Sequence, residues 1–283
     1  VSGWLNRKWW VEPMVMDVTA LSLLMGAAVG VVLALTGAGG GILAVPLLVF
    51  GLHLQMSQAA PVGLLAVGLA ASVGALLGLR EGVVRYRAAL LIGLTGMLIA
   101  PLGVWLSHLL PNGPVMAVFA AILGWVAWRN LRQARRTSAS TLQRKRPVCA
   151  MNPATGRLSW RAPCTAVLSA TGALSGLLSG LLGVGGGFVI VPMLGGFSDV
   201  PTRGVVATSM AVIALVSVGG VLGAASQGGM NWAIALPFAA GAAGALVAGR
   251  EVSQRLSGAR IQQAFGLLAG GVALAMLYRS ILG

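Results

Sequence analysis

The sequence predicts an all-α polytopic membrane protein. It is read as two inverted repeats, each of about four long transmembrane helices plus one short broken or re-entrant segment. Three observations predict this. Of the 283 residues, 57% are hydrophobic and only 8% charged, with 42 glycines. A soluble fold cannot cover so much apolar surface, whereas glycine is frequent in transmembrane helices. Apolar runs recur along the chain, most of them near the roughly 20 residues that a spanning helix needs. The third observation is a glycine-rich motif that occurs twice, 146 residues apart (Gly37 to Gly183). It reads Gly37-Ala38-Gly39-Gly40-Gly41 leading to Pro46, and Gly183-Val184-Gly185-Gly186-Gly187 leading to Pro192.

Residues 1–17 form an N-terminal segment whose Trp4, Trp9 and Trp10 suit an anchor at headgroup level. The first repeat, 18–130, holds apolar runs at about 18–36, 40–56, 58–79, 88–108 and 113–130. A connector, 131–163, carries Arg132, Arg135, Arg136, Arg144, Lys145, Arg146, Arg157 and Arg161 with no acidic residue. The second repeat, 164–283, holds runs at about 164–182, 186–198, 204–225, 232–252 and 259–281. The runs beginning at the glycine motifs are too short or interrupted to span comfortably, and they read as half-helices or tilted, broken segments. Consecutive glycines expose backbone and disfavour helix. At membrane depth such backbone is tolerated only where protein buries it or where it lines a cavity.

The halves match beyond the motif. Ser72, Gly74 and Gly78 pair with Ser217, Gly219 and Gly223, and Gly103, Ser107 and Leu110 pair with Gly249, Ser253 and Leu256. Charge then gives the orientation. The loop at 80–87 carries Arg80, Arg85 and Arg87, while 109–113 is uncharged; in the second half 226–231 is uncharged, while 250–260 carries Arg250, Arg255 and Arg260. Positive loops face the cytoplasm, so equivalent loops lie on opposite sides, as in inverted repeats. The basic connector is then expected on the cytoplasmic side of the inner membrane and the N-terminus outside, against the weak opposing vote of Arg7 and Lys8.

The net charge of +14 sits mainly in the connector and loops. That placement suits anionic lipid headgroups and cytoplasmic exposure, and no aromatic-interleaved basic fold supports a nucleic-acid partner. The five acidic residues, Glu12, Asp17, Glu81, Asp199 and Glu251, all fall near the edges of apolar runs, which argues against a carboxylate proton wire. No span clusters His, Asp, Glu or Cys, so neither an enzyme, a metal site nor a cofactor is expected. Cys149 and Cys164 lack a CxxC pattern and partnering histidines, and are expected as reduced thiols rather than a redox pair.

A helix that restarts after a glycine break presents unpaired N–H groups and the positive end of its dipole, and successive N–H groups can cradle an oxyanion. The candidate substrate-binding residues are therefore Gly37, Gly39, Gly40, Gly41, Gly183, Gly185, Gly186 and Gly187. The bland alternative is close helix packing through small residues. Pro46 and Pro192 would bend the short segments or free carbonyls. Ser72, Thr208, Ser209 and Ser217 are candidate hydroxyl donors, although serine and threonine within helices commonly bond back to their own backbone.

The doubled glycine-proline motif, the Ala207-Thr208-Ser209 tract and the basic central loop resemble the sulfite exporter TauE/SafE family of membrane permeases, over about residues 18–280. The resemblance implies transport of small sulfur-containing anions such as sulfite, sulfonates or thiosulfate. One departure is that the first half has Val62-Gly63-Leu64 where the second has Ala207-Thr208-Ser209, so hydroxyl contacts from that position would be one-sided. The preferred reading is a secondary transporter moving a small anion by alternating access around the two glycine breaks. An anion channel and an accessory membrane subunit are the alternatives. The expected partners are the anion and the lipid bilayer.

Overall fold

The structure is a computed structural model that describes residues 8–136, 149, 162–198, 200–226, 230–253 and 258–282. Much of the predicted connector, the predicted anchor Trp4 and the acidic Asp199 lie outside the described residues. The first half contains α1 (Lys8–Thr36), a 3-10 turn (Gly37–Leu43), α2 (Ala44–Gly51), α3 (Met56–Arg80), α4 (Tyr86–Leu109) and α5 (Asn112–Arg136). The second half contains α6 (Ala162–Leu182), α7 (Gly187–Phe197), α8 (Thr202–Ser226), α9 (Trp232–Ser253) and α10 (Gly258–Leu282). Within these elements, seven segments are long and apolar enough to cross a membrane: Val18–Thr36, Met56–Arg80, Tyr86–Leu109, Gly113–Arg132, Ala162–Leu182, Arg203–Ser226 and Trp232–Arg250. With 8 and 11 residues, α2 and α7 are too short: at 1.5 Å per residue neither covers the roughly 30 Å hydrocarbon core. The chain is thus an all-α polytopic membrane protein.

Glycine decides how the helices pack. Gly26 lies on Phe238, Gly30 on Ala242 and Gly249 on Val31 and Ala34, so α1 and α9 run side by side and parallel. In the same way Gly172 lies on Ile92, Gly176 on Gly96 and Gly103 on Leu177 and Gly180, so α6 and α4 run parallel. These two interfaces are one interface repeated at the 146-residue spacing with the halves exchanged: Gly26 on Phe238 becomes Gly172 on Ile92. An ideal Cβ on Gly176 would stand 2.6 Å from Gly96 Cα, so only glycine lets these backbones meet, as small residues do between helices in lipid.

At the centre α3 crosses α8. Gly68 lies on Ser217, Gly74 on Met210 and Gly78 on Ala207. Rising numbers on one helix meet falling numbers on the other, so α3 and α8 are antiparallel. Similarly α5 and α10 are antiparallel, with Gly266 on Leu131 and Gly270 on Ala127. Large side chains on the outer faces, among them Leu24, Leu98, Leu267 and Leu274, are exposed, as a lipid-facing surface should be.

One expectation is corrected. Cys149 and Cys164 are not separate thiols; they are joined in a disulfide with Cα atoms 5.2 Å apart. The Cys149 N–H also donates to the Phe197 carbonyl at 2.9 Å. The connector, the start of α6 and the end of α7 are therefore tied at one point. The sequence reading sought a short-range CxxC pair, whereas this pairing depends on α7 folding back toward the start of α6.

Candidate functional site

Both glycine motifs reverse the chain. Gly40 packs on Val32 and Leu33 of α1, and Gly51, farther on, packs on Met25. Hence α2 runs back along the helix that preceded it. It also runs antiparallel to α3, since Gly41 faces Val67 while Gly63 faces Ala44 and Val45. In the second half Gly186 packs on Ser175, and α7 ends where Cys149 bonds to Cys164 near the start of α6. It returns in the same manner. Both short helices are re-entrant.

The two reversals meet. An ideal Cβ on Gly41 would stand 2.8 Å from Val67 and 3.0 Å from the Val184 carbonyl. One on Gly185 would stand 2.7 Å from Ile213 and 3.1 Å from Val67. Each break also leans on the other half: Gly37 on Val206 of α8, and Gly183 on Ala60 of α3, again one contact repeated at the 146-residue spacing. Because α6 is parallel to α4, α4 parallel to α8 (Gly93 on Leu215, Gly219 on Met97) and α8 antiparallel to α3, α2 and α7 leave this point in opposite directions. Their N-terminal ends converge on it. The positive ends of both helix dipoles therefore point inward.

The breaks differ in winding. Residues Gly37–Leu43 are wound as a 3-10 helix, whose i→i+3 bonds engage part of the backbone. Gly37 alone in that motif has a positive φ (73°) among the described residues. In the second break Gly183, Gly185 and Gly186 have φ of 72°, 75° and 69°, in the left-handed region that glycine enters without steric cost. The Gly183 N–H donates to the Ser179 carbonyl at 2.8 Å, and Gly186 caps α7 by accepting from Val189 at 3.0 Å. Among the described residues, no backbone carbonyl takes the N–H groups of Gly185, Gly186, Gly187 or Phe188.

The other predicted site residues divide. Pro46 is buried in α2, and Pro192 is partly buried in α7. The Ser217 hydroxyl is buried without a partner beside Gly68, one turn from Ile213. The Ser72 hydroxyl donates to its own helix at the Gly68 carbonyl, and Ser209 does so at the Val206 carbonyl. Thr208 lies away from the convergence, where its Oγ accepts the Arg85 backbone N–H at 3.0 Å at the start of α4. Sequence reading missed Ser175 and Ser179. They stand on one face of α6 at helical spacing, fully buried, and Ser179 Oγ has no partner. Their spacing was visible in the sequence, but only the return of α7 places them beside the break. Among the described residues all eight buried polar side chains are serine or threonine.

Charge is gathered at one end of the bundle. Arg80 and Arg85 flank the turn between α3 and α4, and Arg250 at the end of α9 pairs with Glu81 in that turn at 2.6 Å. Helix directions put Arg203 and the end of α5 there too. On α5, Arg129 and Arg132 lie over Trp125 and Trp128 at 5.5 and 4.6 Å, a pairing suited to the membrane interface. His53 and His108 fall at the other end.

This arrangement defines a polytopic membrane protein whose two re-entrant half-helices meet in the interior. The chain belongs to the sulfite exporter TauE/SafE family, whose pattern matches residues 22–276. It is 29% identical over 262 residues to a "probable membrane transporter protein" of Xylella fastidiosa strain Temecula1, covering 90% of this chain and 93% of that relative. A counterpart from Xylella fastidiosa strain 9a5c is likewise 29% identical, over 259 residues, with the same coverage. A "probable membrane transporter protein" of Methanocaldococcus jannaschii is 47% identical over 51 residues, 18% of this chain and 19% of that relative. No solved structure matches.

Proposed function

We propose that the protein is a membrane transporter for a small anion, a sulfur oxyanion or organosulfonate, bound where the glycine breaks converge. The observation that carries this reading is the meeting of two inward-pointing helix N-termini at Gly41 and Val184. Two half-dipoles and free N–H groups attract negative charge. Among the described residues the buried polar side chains are all hydroxyls and offer a cation no carboxylate. Family membership and the names of the Xylella relatives support transport.

The halves act as inverted repeats. In each half a long helix and its returning half-helix (α1–α2, α6–α7) begin and end on one side, and the three long helices that follow, α3–α5 and α8–α10, make the number of crossings odd. Equivalent helices α3 and α8 then run antiparallel, in keeping with their contacts. The arginine-rich end faces the cytoplasm by the positive-inside rule, together with the connector, and α1 starts on the outer side. Alternating access comes from the halves moving against each other around the convergence.

The test is uptake of radiolabelled sulfite, thiosulfate and methanesulfonate by proteoliposomes holding only this protein. Saturable uptake with counterflow is expected. Anion currents without counterflow would replace the transporter with a channel, and no flux through folded protein would leave an accessory subunit.

A further inference from the structure

We propose that both converging helix dipoles draw the anion in but that only one half hydrogen-bonds it, through a cradle of neutral donors on the second break, and that this cradle selects singly charged oxyanions over doubly charged ones. This rests on the anion-transport reading and adds the residues and the charge class. The unpaired N–H groups of Gly185, Gly186, Gly187 and Phe188 open the cradle at the start of α7. Two hydroxyls on one face of α6 adjoin it. Ser175 Oγ reaches the Gly186 carbonyl at 3.3 Å, longer than an ordinary hydroxyl bond, so it turns to a better acceptor at little cost. Ser179, one turn nearer the break, is 0% exposed and its Oγ has no partner. Ser217 adds a second buried, unpartnered hydroxyl one turn from Ile213, which itself touches Gly185.

A buried hydroxyl without a partner is costly to retain, and here Ser179 stands one turn before Gly183 and Ser217 one turn from the Ile213 that touches Gly185, at a break whose own donors are unused. That coincidence is what a bound acceptor would relieve. The first half has no counterpart. At the 146-residue spacing Ser175 and Ser179 correspond to Val29 and Leu33, both fully buried and apolar. The first break is also wound into a 3-10 turn. One half supplies donors and the other an apolar wall.

Among the described residues no lysine or arginine is buried as a whole, and the buried Arg85 Nε lies before α4 at the arginine-rich end, away from the break, so no cationic side chain compensates a charge there. The cost of moving an ion out of water rises with the square of its charge, and it is large wherever no opposite charge compensates. Dipoles and hydroxyls that suffice for a sulfonate therefore fall short for a sulfate of similar size.

The experiment measures binding of methanesulfonate and sulfate to the purified full-length protein by thermal shift, with Ser179→Ala and Ser217→Ala variants. Methanesulfonate is expected to bind at least about tenfold more tightly than sulfate. Each hydroxyl deletion should weaken it by about tenfold or more, the usual worth of a hydrogen bond to a charged group. Without ligand, each variant should melt no lower than the parent, because the lost hydroxyl had no partner. Equal affinity for the two anions overturns the charge rule. Unchanged methanesulfonate affinity in both variants, or variants that lose melting temperature but not affinity, overturns the cradle. A folded parent that binds neither anion overturns the anion-transport reading, and the cradle falls with it.

Discussion

Alanine at Gly183 should destabilise the protein more than alanine at any of three comparison glycines, and the structure separates the reasons. Gly183 has φ of 72°, and an ideal Cβ would stand 2.6 Å from the Ala60 carbonyl carbon, with closer approaches to that residue's Cα and oxygen. The left-handed conformation costs an L-residue about 1–2 kcal/mol, and overpacking against backbone that cannot rotate away adds about 1–3 kcal/mol. The sum is about 2–5 kcal/mol. Gly82 isolates the first component, having φ of 68° and nothing within 4 Å, so Gly82→Ala should cost about 1–2 kcal/mol. Gly176 isolates the second, with ordinary helical backbone pressed on Gly96. Gly195 has neither problem, with nothing within 4 Å inside α7, and alanine there should gain up to about 1 kcal/mol. Thermal unfolding in one detergent, monitored by intrinsic tryptophan fluorescence, ranks the four. A Gly183→Ala variant as stable as Gly195→Ala would refute the packing of the second break on α3.

Further outcomes are expected elsewhere. Losing the Cys149–Cys164 bond, by Cys149→Ser or by reductant, should cost about 3 kcal/mol for its 15-residue separation, read as a lower melting temperature for both treatments. Thr208→Val removes the acceptor of the Arg85 N–H and should cost about 1–3 kcal/mol while leaving anion affinity intact in the same binding assay. Glu81→Ala should change stability by less than about 1 kcal/mol, since its partnership with Arg250 is largely solvent-exposed.

How much of this was legible in the sequence depended on the range of the interaction. The membrane class and the position of the glycine breaks follow from local composition, and each predicted apolar run overlaps one helix or re-entrant segment. The doubled motif foretold two breaks, yet only the fold distinguishes a wound 3-10 turn at Gly37–Leu43 from an open turn at Gly183–Gly186, because identical glycines tolerate both. Hydroxyl roles were the least legible. Thr208 and Ser179 are alike as buried hydroxyls in apolar helices; the first meets the Arg85 N–H across 123 residues and the second meets no one. The disulfide was missed for the same reason, since its pairing depends on where α7 returns.

The most direct single measurement is flux through proteoliposomes reconstituted with the parent protein or Gly41→Val, the substitution that fills the contact between the two breaks at Val184. The parent should take up methanesulfonate saturably, and Gly41→Val should fail to do so while still inserting as a folded protein. Undiminished uptake by Gly41→Val would contradict a transport site at the convergence of the breaks.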